Sequence, residues 1–175
     1  MAATVIINEK NGVGETATDK TSGTVRLKNA DNATVDTADP LVVPGAGQEY
    51  SFEKFLRLEA TVAPDTEITD VEFFMDGSND YGTGVKLWGR AIAAYATPAV
   101  PPEGVDPPEF PVNGTPAAGT DAFSWTSGAP VSLGAGPFTG TGDLADYVVL
   151  VMEVEPTAAN GSLTAETATF RWDEI

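Results

Sequence analysis

The sequence contains no cysteine and no histidine among its 175 residues, and only nine lysines and arginines against 26 aspartates and glutamates. Without cysteine there is no disulfide framework, no thiolate metal site and no thiol nucleophile. Without histidine the commonest general base near neutral pH is missing, as is the commonest transition-metal ligand. Ser–His–Asp and Cys–His arrangements therefore cannot be built within one chain. What remains is carboxylate chemistry, a hard-cation site made of oxygens, or a role in binding alone. The reading adopted is the last: no enzyme, no cofactor.

Positive charge is scarce, and the formal net charge is −17. The few basic residues are scattered, so no basic stripe is available to follow a phosphate backbone, and nucleic acid is not an expected partner. Anionic membranes are disfavoured for the same reason. Long apolar runs are missing too: none approaches the ~20 residues a spanning helix needs. The opening Met1-Ala2-Ala3-Thr4-Val5-Ile6-Ile7-Asn8 has neither a charged start nor a long apolar stretch, and reads as no export signal. Asn-X-Ser/Thr triplets at Asn32, Asn113 and Asn160 accordingly read as turn chemistry rather than glycan sites.

What is present is a succession of short β-favouring runs punctuated by Gly, Pro, Asn and Asp. Strands are expected over Thr4–Glu9, Thr24–Lys28, Leu41–Val43 (at a sheet edge, between two prolines), Ile68–Met75 and Val85–Tyr95. Over Tyr50–Val62 a strand with Leu56, Leu58, Ala60 and Val62 on one face competes with a helix over Ser51–Leu58, and the strand is favoured. Tyr147–Val154 is almost continuously apolar, as for a strand buried on both faces, with Glu153 and Glu155 marking its exit into solvent. Thr164–Asp173 alternates, placing Ala168, Phe170 and Trp172 together. Sustained helical periodicity is missing, so the expectation is an all-β, antiparallel sandwich of jelly-roll type over residues 1–175.

Seven of the thirteen prolines fall in Thr97–Ala117. This stretch reads either as a surface loop or as a stiff arm laid across a neighbouring subunit, with Pro101, Pro102, Pro107, Pro108, Phe110 and Val112 as its contact residues. Asp76-Gly77-Ser78-Asn79-Asp80 clusters oxygens in a way that weakly suggests calcium, through Asp76, Ser78 and Asp80. The glycine is second rather than sixth, however, so a hairpin turn is the favoured reading. Trp88, Trp125, Trp172, Tyr81, Tyr95 and Tyr147 suggest a sugar-stacking platform as an alternative, Trp125 being the candidate for exposure. Core or interface packing is again favoured.

Four stretches carry a family likeness: Tyr50–Arg57, Ile68–Gly77, Tyr81–Leu87 and Asp146–Ile175, including the closing Ala168-Thr169-Phe170-Arg171-Trp172-Asp173-Glu174-Ile175. In these the chain resembles a group of virion structural proteins of tailed bacteriophages. The resemblance implies a structural role on the particle exterior, made in the host cytoplasm, with the major capsid protein or other virion proteins as partners. Head decoration, with the chain acting as a homo-oligomeric cement, is the leading expectation; a neck or tail component is the alternative.

Overall fold

The computed structural model describes residues 2–112 and 115–175, and the side chains of Pro111, Val112, Thr115 and Pro116 are outside the description. The fold is an all-β antiparallel sandwich. The larger sheet runs β2 (Thr16–Asp19), β1 (Thr4–Asn11), β4 (Lys54–Val62), β11 (Gly142–Val154), β6 (Val85–Ile92), β9 (Thr120–Asp121), with the short β3 (Glu49–Tyr50) also on β11. Among the described residues the smaller sheet has three strands, β10 (Val131–Gly134), β5 (Ile68–Met75) and β12 (Ala168–Glu174). A separate hairpin is formed by β7 (Glu109–Val112) and β8 (Thr115–Ala118). Among the described residues a single 3-10 turn spans Ala122–Ser124, and no helix is long and apolar enough to cross a membrane.

Alternation decides the faces. In β4, Leu56, Leu58 and Ala60 point between the sheets, where they meet Val71, Phe73 and Met75 of β5 and Val148 and Leu150 of β11. Phe55 points the other way, into a second cluster with Tyr50, Ile92, Phe110, Tyr147, Val149 and Val151. Strand β11 is therefore buried on both faces from Tyr147 to Val154, as its continuous apolar run predicts. The helical alternative over Ser51–Leu58 loses because Phe55 and Leu56 each have a core of their own to enter, on opposite sides of one strand.

The second cluster exists because the proline-rich stretch folds back over the outer face of the larger sheet. Phe110 is fully buried there, and the missing side chain of Gly119 makes room for it: a Cβ at that position would lie 2.6 Å from the ring. The Tyr50 hydroxyl donates to the Val105 carbonyl at 2.5 Å, and Glu53 clamps the start of the stretch. The Glu53 N–H donates to the Ala99 carbonyl at 2.9 Å while its carboxylate accepts from the Ala99 N–H at 3.0 Å.

Burial pushes the Glu53 carboxyl from its ordinary 4.5 up to about 7, although the Ala99 N–H pulls the other way. A carboxyl that holds its proton more tightly when folded contributes stability below pH 4.5 and loses it as pH rises through 7. The full difference is about 3 kcal/mol. Glu53→Gln keeps an acceptor for Ala99 but has no charge to bury. Denaturant titrations of the two proteins are expected to show the variant gaining on the wild type between pH 4.5 and 7, and holding that lead above pH 7. Parallel curves across that window would show that the carboxyl is not buried.

Two of the expected strands do not form. Thr24–Lys28 and Leu41–Val43 lie in an irregular stretch between β2 and β3. Its backbone is held by buried ammonium groups rather than by a ladder. The Lys20 Nζ donates to the Thr24 and Ala33 carbonyls at 3.0 and 2.6 Å, and the Lys54 Nζ donates to the Asn32 carbonyl at 2.8 Å. The Lys28 Nζ reaches Asp36 at 3.0 Å. Glu9, fully buried, balances Lys54 at 3.1 Å and Lys20 at 3.5 Å.

Candidate functional site

Three strands cannot cover the inner face of a much wider sheet, and the mismatch leaves a cleft. It has a volume of about 640 Å³, within the ~300–1,000 Å³ range of ligand-sized clefts. Its floor is the inner face of the larger sheet, including Leu56, Leu150 and Met152, and Phe170 of β12 lines one side. Two irregular stretches, without strand pairing among the described residues, wall it: residues 24–27 and residues 162–167, which lead into β12. Strand β12 pairs with β5 along one edge, and no other strand among the described residues pairs with its second edge.

The polar groups around the cleft are unevenly distributed. Glu166 lines it and accepts the Asp80 N–H at 2.6 Å. Burial and the neighbouring charges of Asp76 and Asp80 raise the Glu166 carboxyl above the usual range, against the N–H bonds it accepts. Arg26 also lines the cleft, and its Nε is buried with no acceptor among the described residues. Lys20, the other basic lining residue, is already committed to Glu9 and to two carbonyls.

The residues singled out by sequence are placed as follows. At Asp76-Gly77-Ser78-Asn79-Asp80 the side chains serve a turn: Asp76 Oδ1 accepts the Ser78 N–H at 3.0 Å and the Ser78 hydroxyl donates to Asp80 Oδ1 at 2.8 Å. Among the described residues, no group of three or more acidic side chains is arranged to hold a metal ion. Trp125 is not an exposed residue but a core one, packed edge-on against Phe73 with ring centroids 6.1 Å apart. Gly89 of β6 provides the space, since a Cβ there would lie 2.6 Å from the Trp125 ring. Trp88, Trp172, Tyr81, Tyr95 and Tyr147 are likewise buried or half-buried, so the six aromatics form no exposed sugar-stacking platform.

Of the proline-rich contact residues, Pro101, Pro108 and Phe110 are buried against their own chain, Pro107 is half-buried and Pro102 is exposed. For Val112 only the backbone, in β7, is described, and Asn113 lies outside the described residues. Glu153 does not mark an exit into solvent: it is 1% exposed, accepting from the Trp88 indole N–H at 2.6 Å and from Lys86 at 3.0 Å. Burial would lower the Lys86 ammonium, but its bonds to Glu155 and Glu153 outweigh that and raise it.

The pairing of the basic side chains escaped sequence reasoning. Seven of the nine (Lys10, Lys20, Lys28, Lys54, Arg57, Lys86 and Arg171) sit 2.6–3.6 Å from a carboxylate of the same chain. A surface rich in uncompensated carboxylates is the result, and it favours cationic partners. Comparison with protein-family models, curated proteins and solved structures finds no match to this chain.

Proposed function

We propose that this chain is a non-enzymatic structural protein of a tailed-bacteriophage virion, a decoration protein seated on the outer face of the major capsid lattice and reinforcing it. The supporting observation is the disposition of charge. The chain neutralises its own cations internally and presents its acidic excess outward, which suits the side of a capsid away from packaged DNA. Two of the stretches that carry the family likeness lie side by side in the smaller sheet. Ile68–Gly77 includes β5, and the closing octapeptide includes β12, the strand with the unpaired edge. A neck or tail position is the second reading, carried by the same likeness.

Mixing the purified chain with emptied heads that lack it, followed by sedimentation, tests the proposal. Binding in proportion to the capsid lattice is expected, weakening as salt rises toward ~1 M, where the Debye length shrinks to ~3 Å. Binding confined to a single ring at the portal vertex selects the neck reading. No binding to heads or tails at low salt overturns the proposal.

A further inference from the structure

The cleft joins three features that one kind of occupant satisfies. Its walls are main chain without a ladder: residues 162–167, the second edge of β12 (unpaired among the described residues), and residues 24–27, where Lys20 already takes the Thr24 carbonyl. Unpaired peptide groups along an edge are a template for another strand. The floor is apolar, with Leu56, Leu150 and Met152 beneath and Leu163, 38% exposed, at the margin. An extended peptide places alternate side chains on opposite sides, so one set can enter such a floor while the other stays in water.

The charges choose among possible peptides. Glu166 lies in the cleft with Asp76 and Asp80 beside it, and of the two basic lining residues Lys20 is held by Glu9 while the charge of Arg26 acts on Asp36. The chain as a whole carries −17. A segment from a second copy would bring the same acidic excess, and like charges at close range oppose association. A lysine- or arginine-bearing segment is drawn in.

We propose that the cleft and the open edge of β12 receive an extended segment of a partner protein, basic and alternately apolar, which pairs as a fourth strand of the smaller sheet. This deepens the virion reading and rests on it for the partner's identity, though the surface can be tested without any particle. The probe is an eight-residue peptide of alternating valine and threonine with a lysine at each end, added to the full chain while amide hydrogen exchange is followed. About tenfold slower exchange is expected within Ala168–Glu174, with little change in β1 and β2. The same peptide ended with glutamates is expected to bind at least several-fold more weakly.

Two adjacent prolines locate the edge. In a strand, successive N–H groups point to opposite edges, so Ala168→Pro and Thr169→Pro remove one N–H facing β5 and one facing the cleft. The variant that loses the outward N–H is expected to stay folded and lose peptide protection. Glu166→Gln, which keeps an acceptor for Asp80, separates folding from docking: it is expected to weaken the lysine-ended peptide several-fold and leave stability nearly unchanged. Unaltered exchange in β12 at millimolar peptide overturns the inference, as does equal binding of the lysine- and glutamate-ended peptides. Peptide protection without binding to heads would instead remove the virion reading and leave the docking edge standing.

Discussion

Lys54→Met is expected to lower the unfolding free energy by about 3–5 kcal/mol, the usual cost of removing one partner of a buried ion pair. The Lys54 ammonium is fully buried, 3.1 Å from a Glu9 carboxylate that is itself fully buried. It also donates to the Asn32 carbonyl at 2.8 Å and, more weakly, to that of Ala30 at 3.4 Å. The substitution leaves Glu9 with Lys20 at 3.5 Å as its remaining counter-charge and frees carbonyls of the overlying loop. Chemical denaturation followed by tryptophan fluorescence measures the loss. Adding Glu9→Gln to the variant removes the orphaned charge, so the double variant is expected to be more stable than Lys54→Met alone. A double variant as unstable as the sum of the singles would show that the two side chains act independently.

Phe110→Ala carries the second large effect, about 3–5 kcal/mol, as for other buried aromatics cut to alanine. Phe110 closes the cluster on the outer face of the larger sheet, beside Phe55, Tyr147 and Val151. The test also separates the two readings of the proline-rich stretch. If Phe110 were an anchor for a neighbouring subunit, the isolated chain would lose no more than ~0.5 kcal/mol, as at an ordinary surface position. A full loss measured on the isolated chain places the anchor within it.

The strands most legible in sequence are those whose burial is strictly patterned. Strand β11 announces itself because both of its faces are covered, and β5 and β12 because each alternates across one. Strand β4 was readable for Leu56, Leu58 and Ala60, whereas Val62, assigned to the same face, is 39% exposed at the strand's end. Short strands whose pairing depends on distant partners left weaker signals. Strand β2 is exposed throughout and β9 is two residues long. Thr24–Lys28 has β-favouring residues, but Val25 and Leu27 pack on the core while the carbonyls of Thr24 and Ala33 answer to the Lys20 ammonium. Local preference was satisfied there without a ladder.

The candidate site was less legible than the fold. Its cleft arises from the unequal widths of two sheets, and no window of sequence states how many strands a sheet will recruit. The carboxylates of Asp76 and Asp80 were visible as a group, but Glu166 joins them from 86 residues beyond Asp80. Trp125 is the candidate for exposure in sequence because its neighbours are small and polar, and the favoured alternative, packing, is what the structure shows. The space Trp125 fills is provided by Gly89 of β6, 36 residues earlier in the chain.

The buried lysines bear on how this chain can be handled chemically. Of the five lysine side chains, those of residues 10, 20, 28 and 54 are at most 11% exposed, and Lys86 alone reaches 37%. Among the lysines, amine-directed labels and cross-linkers can therefore reach one, at the end of the outer face marked by Trp88 and Glu153, and its carboxylate-held ammonium calls for alkaline labelling. A fluorophore placed there stands on the opposite side of the larger sheet from the cleft, where it can report on docking without obstructing it.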